Sequence, residues 1–207
     1  MKCNGMRGFS LAAIFLLTGF FAPSARAETP DPAVAQVQTF YDALLDSMKH
    51  AKELGVKGRY DKLKPVIELT FDLPDMTRFA VGPSWATMSE ADQRALQVAF
   101  ERYSVANYAS NFDGYDGEKF VVEPATQARG QDRVVLSKLV TRKETFPFYY
   151  VMRLTGGTWK VINVLENGYV STLATQRSDF AGTLAAGGAP ALVKKLNELS
   201  DKLTGGN

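Results

Sequence analysis

The sequence has 207 residues, of which 45% are hydrophobic and 22% charged, and its formal net charge is +2. This composition is that of an ordinary folded globule, and it excludes both an intrinsically disordered chain and a polytopic membrane protein. The length fits one domain better than two, and a chain of this size can hold a core without disulfide bonds.

The N-terminus has the pattern of a secretory signal peptide. Two basic residues precede an apolar run over residues 9–22, and Ala25-Arg26-Ala27 supplies a small-x-small cleavage site. The apolar run is shorter than the about 20 residues that span a bilayer. We therefore predict that residues 1–27 are a cleaved signal peptide and that residues 28–207 form a single periplasmic domain.

Cleavage at this site changes the charge and the cysteine content. It removes three basic residues and no acidic one, which leaves 21 basic and 22 acidic side chains in the remaining 180 residues. A near-neutral domain without a basic tract offers no electrostatic basis for binding nucleic acid. Cys3, the one cysteine of the sequence, leaves with the signal peptide, so the domain has no disulfide, thiol nucleophile or thiolate metal site.

Four helices are predicted in the N-terminal half. The first begins with Asp31 as cap and Pro32 in the first turn, and its apolar residues recur at helical spacing to about Ala51. The second is predicted over residues 59–69, where Pro65 either kinks the helix or moves its start.

The third and fourth predicted helices carry their own capping signals. Asp72 caps a short helix that Gly82-Pro83 ends. Ser89 caps a longer helix that runs to about Asn111. This longer helix has apolar residues on more than one face, which indicates that it is buried on more than one side.

After a double turn over residues 113–117, the apolar period changes from helical spacing to two. Strands are predicted over residues 119–123, 133–141, 145–154 and 159–165. The third strand has one apolar face made of Phe146, Phe148, Tyr150, Met152 and Leu154. The helical period returns from Val170, and a last amphipathic helix precedes the C-terminus.

The order of helices, antiparallel meander and helices predicts an α+β fold with helices packed against a sheet. A twisted sheet covered by helices can leave a cone between the two layers. The aromatic face of the third strand is predicted to line this cone-shaped space, together with Trp159 and Val161 from the next strand. From composition alone, a filled core explains these large side chains better than a ligand cavity does.

The residues supply no convincing catalytic or metal site. His50 is the one histidine of the sequence, and its polar surroundings predict a solvated side chain. The sequence contains no nucleophile elbow, phosphate-binding loop or dinucleotide fingerprint. Asn163 is predicted on the same strand face as Trp159 and Val161, where a structural amide explains it better than catalysis. We predict no catalytic residue, no metal and no cofactor.

Two stretches of the chain carry a family resemblance. The first is FDLPDMTRFAVG over residues 71–82, followed by Trp85. The second is WKVINV over residues 159–164, followed by QRSDF over residues 176–180. Together they resemble the MlaC family, also called toluene-tolerance auxiliary proteins. Residues 81–85 and 112–120 most resemble its hopanoid-associated branch, HpnM.

Two positions depart from the family pattern. Members usually carry an acid where Asn163 stands, and Tyr169 is inserted between Gly168 and Val170.

The resemblance implies an NTF2-like sheet with helices around an apolar cavity, and a periplasmic lipid carrier that is not an enzyme. It implies a phospholipid or a hopanoid-type lipid as cargo. The implied partners are an inner-membrane ABC lipid transporter with a substrate-binding ring and an outer-membrane lipoprotein complex, and we expect a monomer. The predicted lipid-binding residues are Phe71, Met76, Phe79, Trp85, Phe100, Tyr103, Phe146, Phe148, Tyr150, Met152, Trp159, Val161, Val170 and Leu173.

Two other functions stay open. An isomerase or hydratase of the NTF2-like type, acting on a small hydrophobic ligand, needs a buried carboxylate that faces the cavity. A periplasmic assembly factor would instead have a full core and no cavity.

The segment from Asp72 to Trp85 is a candidate gate. It is a short capped helix between helix breaks, so few backbone bonds must be lost to move it. We hypothesise that partner docking shifts this segment and opens the cavity mouth, and the alternative is a rigid packing element.

Overall fold

The computed structural model describes residues 31–206. Its elements in chain order are α1 (Pro32–Lys49), α2 (Ala51–Thr70), α3 (Leu73–Val81), α4 (Glu90–Asn111), β1 (Lys119–Arg129), β2 (Asp132–Val140), β3 (Thr145–Thr155), β4 (Thr158–Glu166), β5 (Val170–Ser171) and α5 (Thr172–Leu203). A 3-10 helix over Gly82–Thr87 follows α3. The predicted signal peptide lies outside the described residues. Within residues 31–206, no helix combines the length and the apolar character needed to cross a bilayer.

The predicted helix caps are confirmed. The Asp31 carboxylate accepts a hydrogen bond from the backbone N–H of Ala33 at the start of α1. Asp72 accepts from the backbone N–H of Asp75 at the start of α3, and Ser89 accepts from that of Asp92 at the start of α4. Each cap satisfies a first-turn donor that has no partner within its helix, which explains why these helices begin at these residues.

Two helix predictions need correction. α2 begins at Ala51, eight residues earlier than predicted, with a break at Gly55, whose positive φ of 59° suits a residue without a Cβ. Pro65 lies inside the continuous part of α2. The helical period does not begin at Val170, because this residue pairs with β4 and α5 begins after Ser171, its N-cap.

The strands form one antiparallel sheet in the order β1-β2-β3-β4-β5, so the predicted α+β class and the meander are confirmed. β1 is longer than predicted because it continues beyond Pro124 after an irregularity between Val122 and Thr126. β5 has only two residues, which is too short to give a periodic signal in the sequence.

An extra residue in β4 changes which side chains share a face. Val151 of β3 pairs with Asn163, and the next residue, Met152, pairs with Val161. Ile162 is therefore the additional residue of a β-bulge. The prediction that Asn163 shares a face with Val161 was wrong, because strict alternation fails across a bulge.

The bulge gives Asn163 a structural partner. Its amide nitrogen donates a hydrogen bond to Ser171 Oγ at 2.9 Å, and Ser171 Oγ accepts another from the Ala174 backbone N–H at 3.1 Å. Asn163 thus holds the residue that caps α5, in agreement with the structural reading of this amide.

The core lies between the sheet and the helices on its inner face. α1 runs across this face, and its side chains Phe40, Tyr41 and Leu44 are almost fully buried. The hydroxyl groups of Tyr41 and Ser137 lie 2.7 Å apart and join α1 to β2. α4 packs against α2, α3 and α5, which accounts for its apolar residues on more than one face.

Candidate functional site

A cavity of about 270 Å³ lies between the helices and the inner face of the sheet. At one end its walls are buried apolar side chains of three helices, including Ile67, Met76 and Phe100. At the other end it is lined by Asn111, near the end of α4, and Glu166, at the end of β4, and both are exposed. The cavity is therefore closed by apolar side chains at one end and opens to solvent between α4 and β4.

Aromatic rings form much of the wall. The rings of Tyr41 and Phe120 are stacked with their centres 4.3 Å apart, and those of Tyr108 and Phe112 are stacked at 5.9 Å. Tyr150 meets Tyr41 edge to face at 5.7 Å. Such packed rings present a large and rigid apolar surface.

The phenol groups in this wall carry no charge at neutral pH. Burial raises the pKa of Tyr41 to about 12, although its hydrogen bond with Ser137 opposes the shift. Burial also raises the pKa of Tyr108 and holds that of Tyr150 well above its usual value. These side chains therefore remain neutral hydrogen-bonding groups within an apolar wall.

The structure brings six of the fourteen predicted residues to this cavity, namely Phe71, Met76, Phe100, Tyr103, Phe148 and Tyr150. Three others, Phe79, Trp85 and Leu173, line a second groove. Five line neither space, namely Phe146, Met152, Trp159, Val161 and Val170. Contact between any of these side chains and a lipid stays a prediction.

Four of the five residues outside both spaces have identifiable surroundings, and the fifth, Phe146, pairs with Leu139 of β2. Met152 and Val161 pair across β3 and β4 and are completely buried in the core. The ring of Trp159 lies 4.7 Å from the Arg133 guanidinium. Val170 is 39% exposed on the edge strand.

Sequence reasoning missed several lining residues. Tyr41 and Leu44 belong to the apolar stripe of α1, and Tyr108 and Phe112 belong to the wide apolar surface of α4, so the sequence contained a signal for them. Val164 reaches the cavity face only because of the bulge. The polar lining residues gave no signal, and they are Ser104, Asn107, Asn111, Glu166, Thr172 and Gln176.

A second, more open groove of about 570 Å³ lies on the other side of α3 and of the first turns of α5. Four arginines and two aspartates line it: Arg78, Arg129, Arg153, Arg177, Asp75 and Asp132. We call this space the basic groove. Arg153 donates to both carboxylate oxygens of Asp132 at 2.8 Å, while the Arg177 guanidinium lies 5.9 Å from the centre of the Phe79 ring.

Gly82 is needed where α3 meets α5. Its φ is 75°, a conformation that residues with a side chain rarely adopt. A Cβ at this position would also lie 2.8 Å from Arg177 Nε. Glycine therefore allows the end of α3 to approach the Arg177 side chain closely.

Comparison with known proteins agrees with this architecture. The family model described as MlaC protein matches residues 38–198. The chain belongs to the MlaC family.

Two relatives of this MlaC-family chain illustrate the likeness. Toluene tolerance protein ttg2D of Pseudomonas putida is 24% identical over 157 residues, which cover 75% of this chain and 73% of that protein. A phospholipid-binding protein from Ralstonia solanacearum, solved in complex with a phospholipid, is 22% identical and superposes with a TM-score of 0.73. That likeness covers 84% of this chain and 99% of the other, and it shows that the two share a fold.

The cavity of this MlaC-family chain has few side chains that could act as catalytic acids or bases or hold a metal ion. Of the residues that line it, Glu166 alone carries a carboxylate, and this residue is exposed at the opening. Within residues 31–206, no three histidine, cysteine, aspartate or glutamate side chains are grouped so as to hold a metal ion. The arrangement can enclose an apolar molecule and offer hydrogen bonds at its polar end.

Proposed function

We propose that this protein is a lipid carrier that holds the acyl chains of a phospholipid or a hopanoid-type lipid in the cavity. The observation that carries the proposal is a space closed by neutral aromatic and aliphatic side chains at one end and open at a polar rim. Membership of the MlaC family supports it, as does the phospholipid complex of the Ralstonia solanacearum protein with the same fold.

The energetics explain why such a carrier is needed. Two acyl chains contain about 30 methylenes, and each costs about 0.8 kcal/mol in water. A lipid that crosses an aqueous space unaided therefore faces a barrier of about 25 kcal/mol. An apolar cavity replaces the bilayer for these methylenes, so exchange between membrane and protein becomes nearly neutral. Direction must then come from the partners.

The cavity is small for a diacyl lipid. At about 270 Å³ it lies below the about 300–1,000 Å³ of pockets that enclose drug-sized molecules. A diacyl lipid is larger than such molecules. We propose that the wall moves outward to admit the acyl chains, and the segment from Asp72 to Trp85 is the part we expect to move.

We further propose that the carrier acts in the periplasm after removal of residues 1–27, between an inner-membrane ABC transporter and an outer-membrane lipoprotein complex. The N-terminal pattern and the family support this proposal. N-terminal sequencing of protein from a periplasmic extract should give Glu28 as the first residue. Protein found only in the membrane fraction with Met1 intact would contradict it.

Native mass spectrometry of the purified protein tests the carrier function directly. We expect a population whose excess mass equals one lipid, and extraction should return that lipid. The two other functions give different results. An isomerase or hydratase would turn over a small hydrophobic ligand without retaining lipid, and an assembly factor would carry no lipid and would not bind any added from vesicles.

A further inference from the structure

The basic groove carries more positive charge than its own carboxylates neutralise. Its lining contains four arginines and two aspartates, which gives a formal charge of +2. Arg153 pairs with both aspartates, since it bonds Asp132 at 2.8 Å and lies 3.6 Å from Asp75. Arg78 also bonds Asp75. Two of the four arginines therefore share all the carboxylates of the groove.

The other two arginines of the groove are Arg129 and Arg177, and both are exposed. Within residues 31–206, no carboxylate oxygen lies within 4.0 Å of either guanidinium. Arginine presents a planar fork of N–H donors whose geometry matches a carboxylate. The groove thus offers two guanidinium groups to an anionic group from another molecule.

Packing holds Arg177 in position. Its guanidinium lies 5.9 Å from the centre of the Phe79 ring. Its Nε approaches Gly82 so closely that a Cβ at this glycine would lie 2.8 Å away. A side chain that is already ordered by packing loses less conformational entropy when it binds. Arg177 is therefore better prepared for recognition than a freely rotating surface arginine.

The shape of the groove suits a protruding segment better than a membrane surface. Its volume of about 570 Å³ lies within the about 300–1,000 Å³ of pockets that enclose ligands. Buried Val151 and exposed Phe79 contribute apolar surface to its lining. A bilayer is flat on this scale and touches only the margin of a concave surface. A peptide with both acidic and apolar side chains can instead enter the groove and contact both kinds of surface.

We propose that the basic groove binds an acidic segment of a partner protein. Arg129 and Arg177 bond its carboxylates, and Phe79 contacts an apolar side chain beside them. This proposal rests on the proposed carrier function, because a carrier docks on a partner before it exchanges lipid. The groove and the cavity are nevertheless separate spaces with different lining residues, so the two proposals can be tested apart.

Two short labelled peptides with blocked termini test the acidic site. The peptide EELEEL carries carboxylates and leucines, and QQLQQL has nearly the same shape without the charge. Fluorescence anisotropy gives the affinity of the purified protein for each. We expect EELEEL to bind at least about tenfold more tightly than QQLQQL at low salt. This difference should disappear at about 1 M salt, where the Debye length is about 3 Å.

Charge reversal in the groove should remove the preference for the acidic peptide. Arg177→Glu and Arg129→Glu should each lower the affinity for EELEEL at least about tenfold and leave that for QQLQQL unchanged. Lys143→Glu is the matched control, because it makes the same change of charge at an exposed residue between β2 and β3. The start of β3 at Thr145 and Arg153 in the groove are eight residues apart, which is about 26 Å along a strand. This control should bind EELEEL like the wild-type protein.

Native mass spectrometry and thermal unfolding of the same variants separate the acidic site from the carrier function. Arg177→Glu and Arg129→Glu should retain lipid, because neither side chain lines the cavity. If Arg177→Glu does not fold, Arg129→Glu decides the test. Equal affinity of the wild-type protein for both peptides, or wild-type affinity for EELEEL in both variants, would overturn the acidic site and leave the carrier function intact. Absence of lipid from the wild-type protein would overturn the carrier function, and the peptide titration would still decide the acidic site.

Vesicles of phosphatidylglycerol distinguish a peptide from a membrane as the anionic partner. We expect the wild-type protein and Arg177→Glu to sediment with these vesicles to the same small extent. Strong sedimentation that Arg177→Glu abolishes, without binding of EELEEL, would assign the groove to an anionic membrane surface and contradict the proposal.

Discussion

Met76 and Phe79 lie three residues apart on α3, yet Met76 lines the cavity and Phe79 lines the basic groove. Met76 is 7% exposed and Phe79 is 47% exposed. At the start of α5, Gln176 likewise lines the cavity and the next residue, Arg177, lines the basic groove. A single layer of helix thus separates the cavity from a charged surface, so a molecule that binds in the groove contacts the wall of the cavity directly.

A cross-link between α3 and β3 tests whether this wall is a gate. Asp75 of α3 and Arg153 of β3 both line the basic groove, and Asp75 Oδ2 lies 3.6 Å from Arg153 Nη1. We expect that Asp75→Cys and Arg153→Cys, joined by a short thiol-reactive linker in a Cys3→Ala background, retain bound lipid. Because the segment could no longer move, delivery to acceptor membranes that carry the transporter should fall at least about tenfold.

The baseline is the delivery rate of the Asp75→Cys/Arg153→Cys protein without linker, because this protein has also lost the ion pair between Asp75 and Arg153. Each single cysteine variant treated with the linker controls for modification alone. Delivery at the baseline rate by cross-linked, lipid-loaded protein would show that the segment is a rigid packing element.

A charge placed in the cavity should prevent lipid binding. Phe148 lines the cavity, whereas Leu154, on the same strand, is 54% exposed and lies outside it. Phe148→Asp puts an unpaired carboxylate beside the acyl chains, so lipid should no longer co-purify. Leu154→Asp should retain lipid at the wild-type level in native mass spectra. Full lipid occupancy in a folded Phe148→Asp protein would contradict the assignment of the cavity.

The buried tyrosines predict a loss of stability in alkali. The pKa of Tyr41 is about 12 in the folded protein and 10 in the unfolded chain, so between these values the folded state binds more protons. Tyr41 should therefore contribute no change in the free energy of unfolding below about pH 10 and a fall of about 3 kcal/mol as the pH rises to 12, to which the raised pKa values of Tyr108 and Tyr150 add. Urea unfolding from pH 8 to 12 measures this slope. Tyr41→Phe should make it shallower, and an unchanged slope would exclude Tyr41 as its source.

Arg59 should contribute to stability through backbone carbonyls. It is 7% exposed, and its Nε donates to the Ala109 carbonyl at 2.7 Å while Nη1 donates to the Ala51 carbonyl at 3.0 Å. The Ala109 carbonyl belongs to the last turn of α4, whose acceptors have no partner within the helix. Arg59→Met removes both bonds, and we expect a loss of about 2–4 kcal/mol in chemical denaturation.

Arg94→Met is the control for this substitution. Arg94 forms an exposed ion pair with Glu90 on α4, so its loss should change the free energy of unfolding by less than about 1 kcal/mol. Equal losses in the two variants would mean that the buried hydrogen bonds of Arg59 add nothing.

The sequence by itself determined the features that depend on near neighbours. Asp31, Asp72 and Ser89 were recognisable as caps because each bonds a backbone N–H two or three residues away. The apolar alternation of β3 identified an antiparallel strand, and the succession of helices and strands gave the α+β class. Such patterns arise from backbone geometry within one element, so they can be read without knowing what packs against it.

Only the tertiary structure decided between a filled core and a cavity, because large apolar side chains suit both. The bulge at Ile162 depends on the pairing of β4 with β3, and it alone brings Val164 and Glu166 to the cavity face. The open end of the cavity joins Asn111 and Glu166, which lie on two elements far apart in the chain. Contacts of this kind follow from how whole elements pack together, and no local periodicity encodes them.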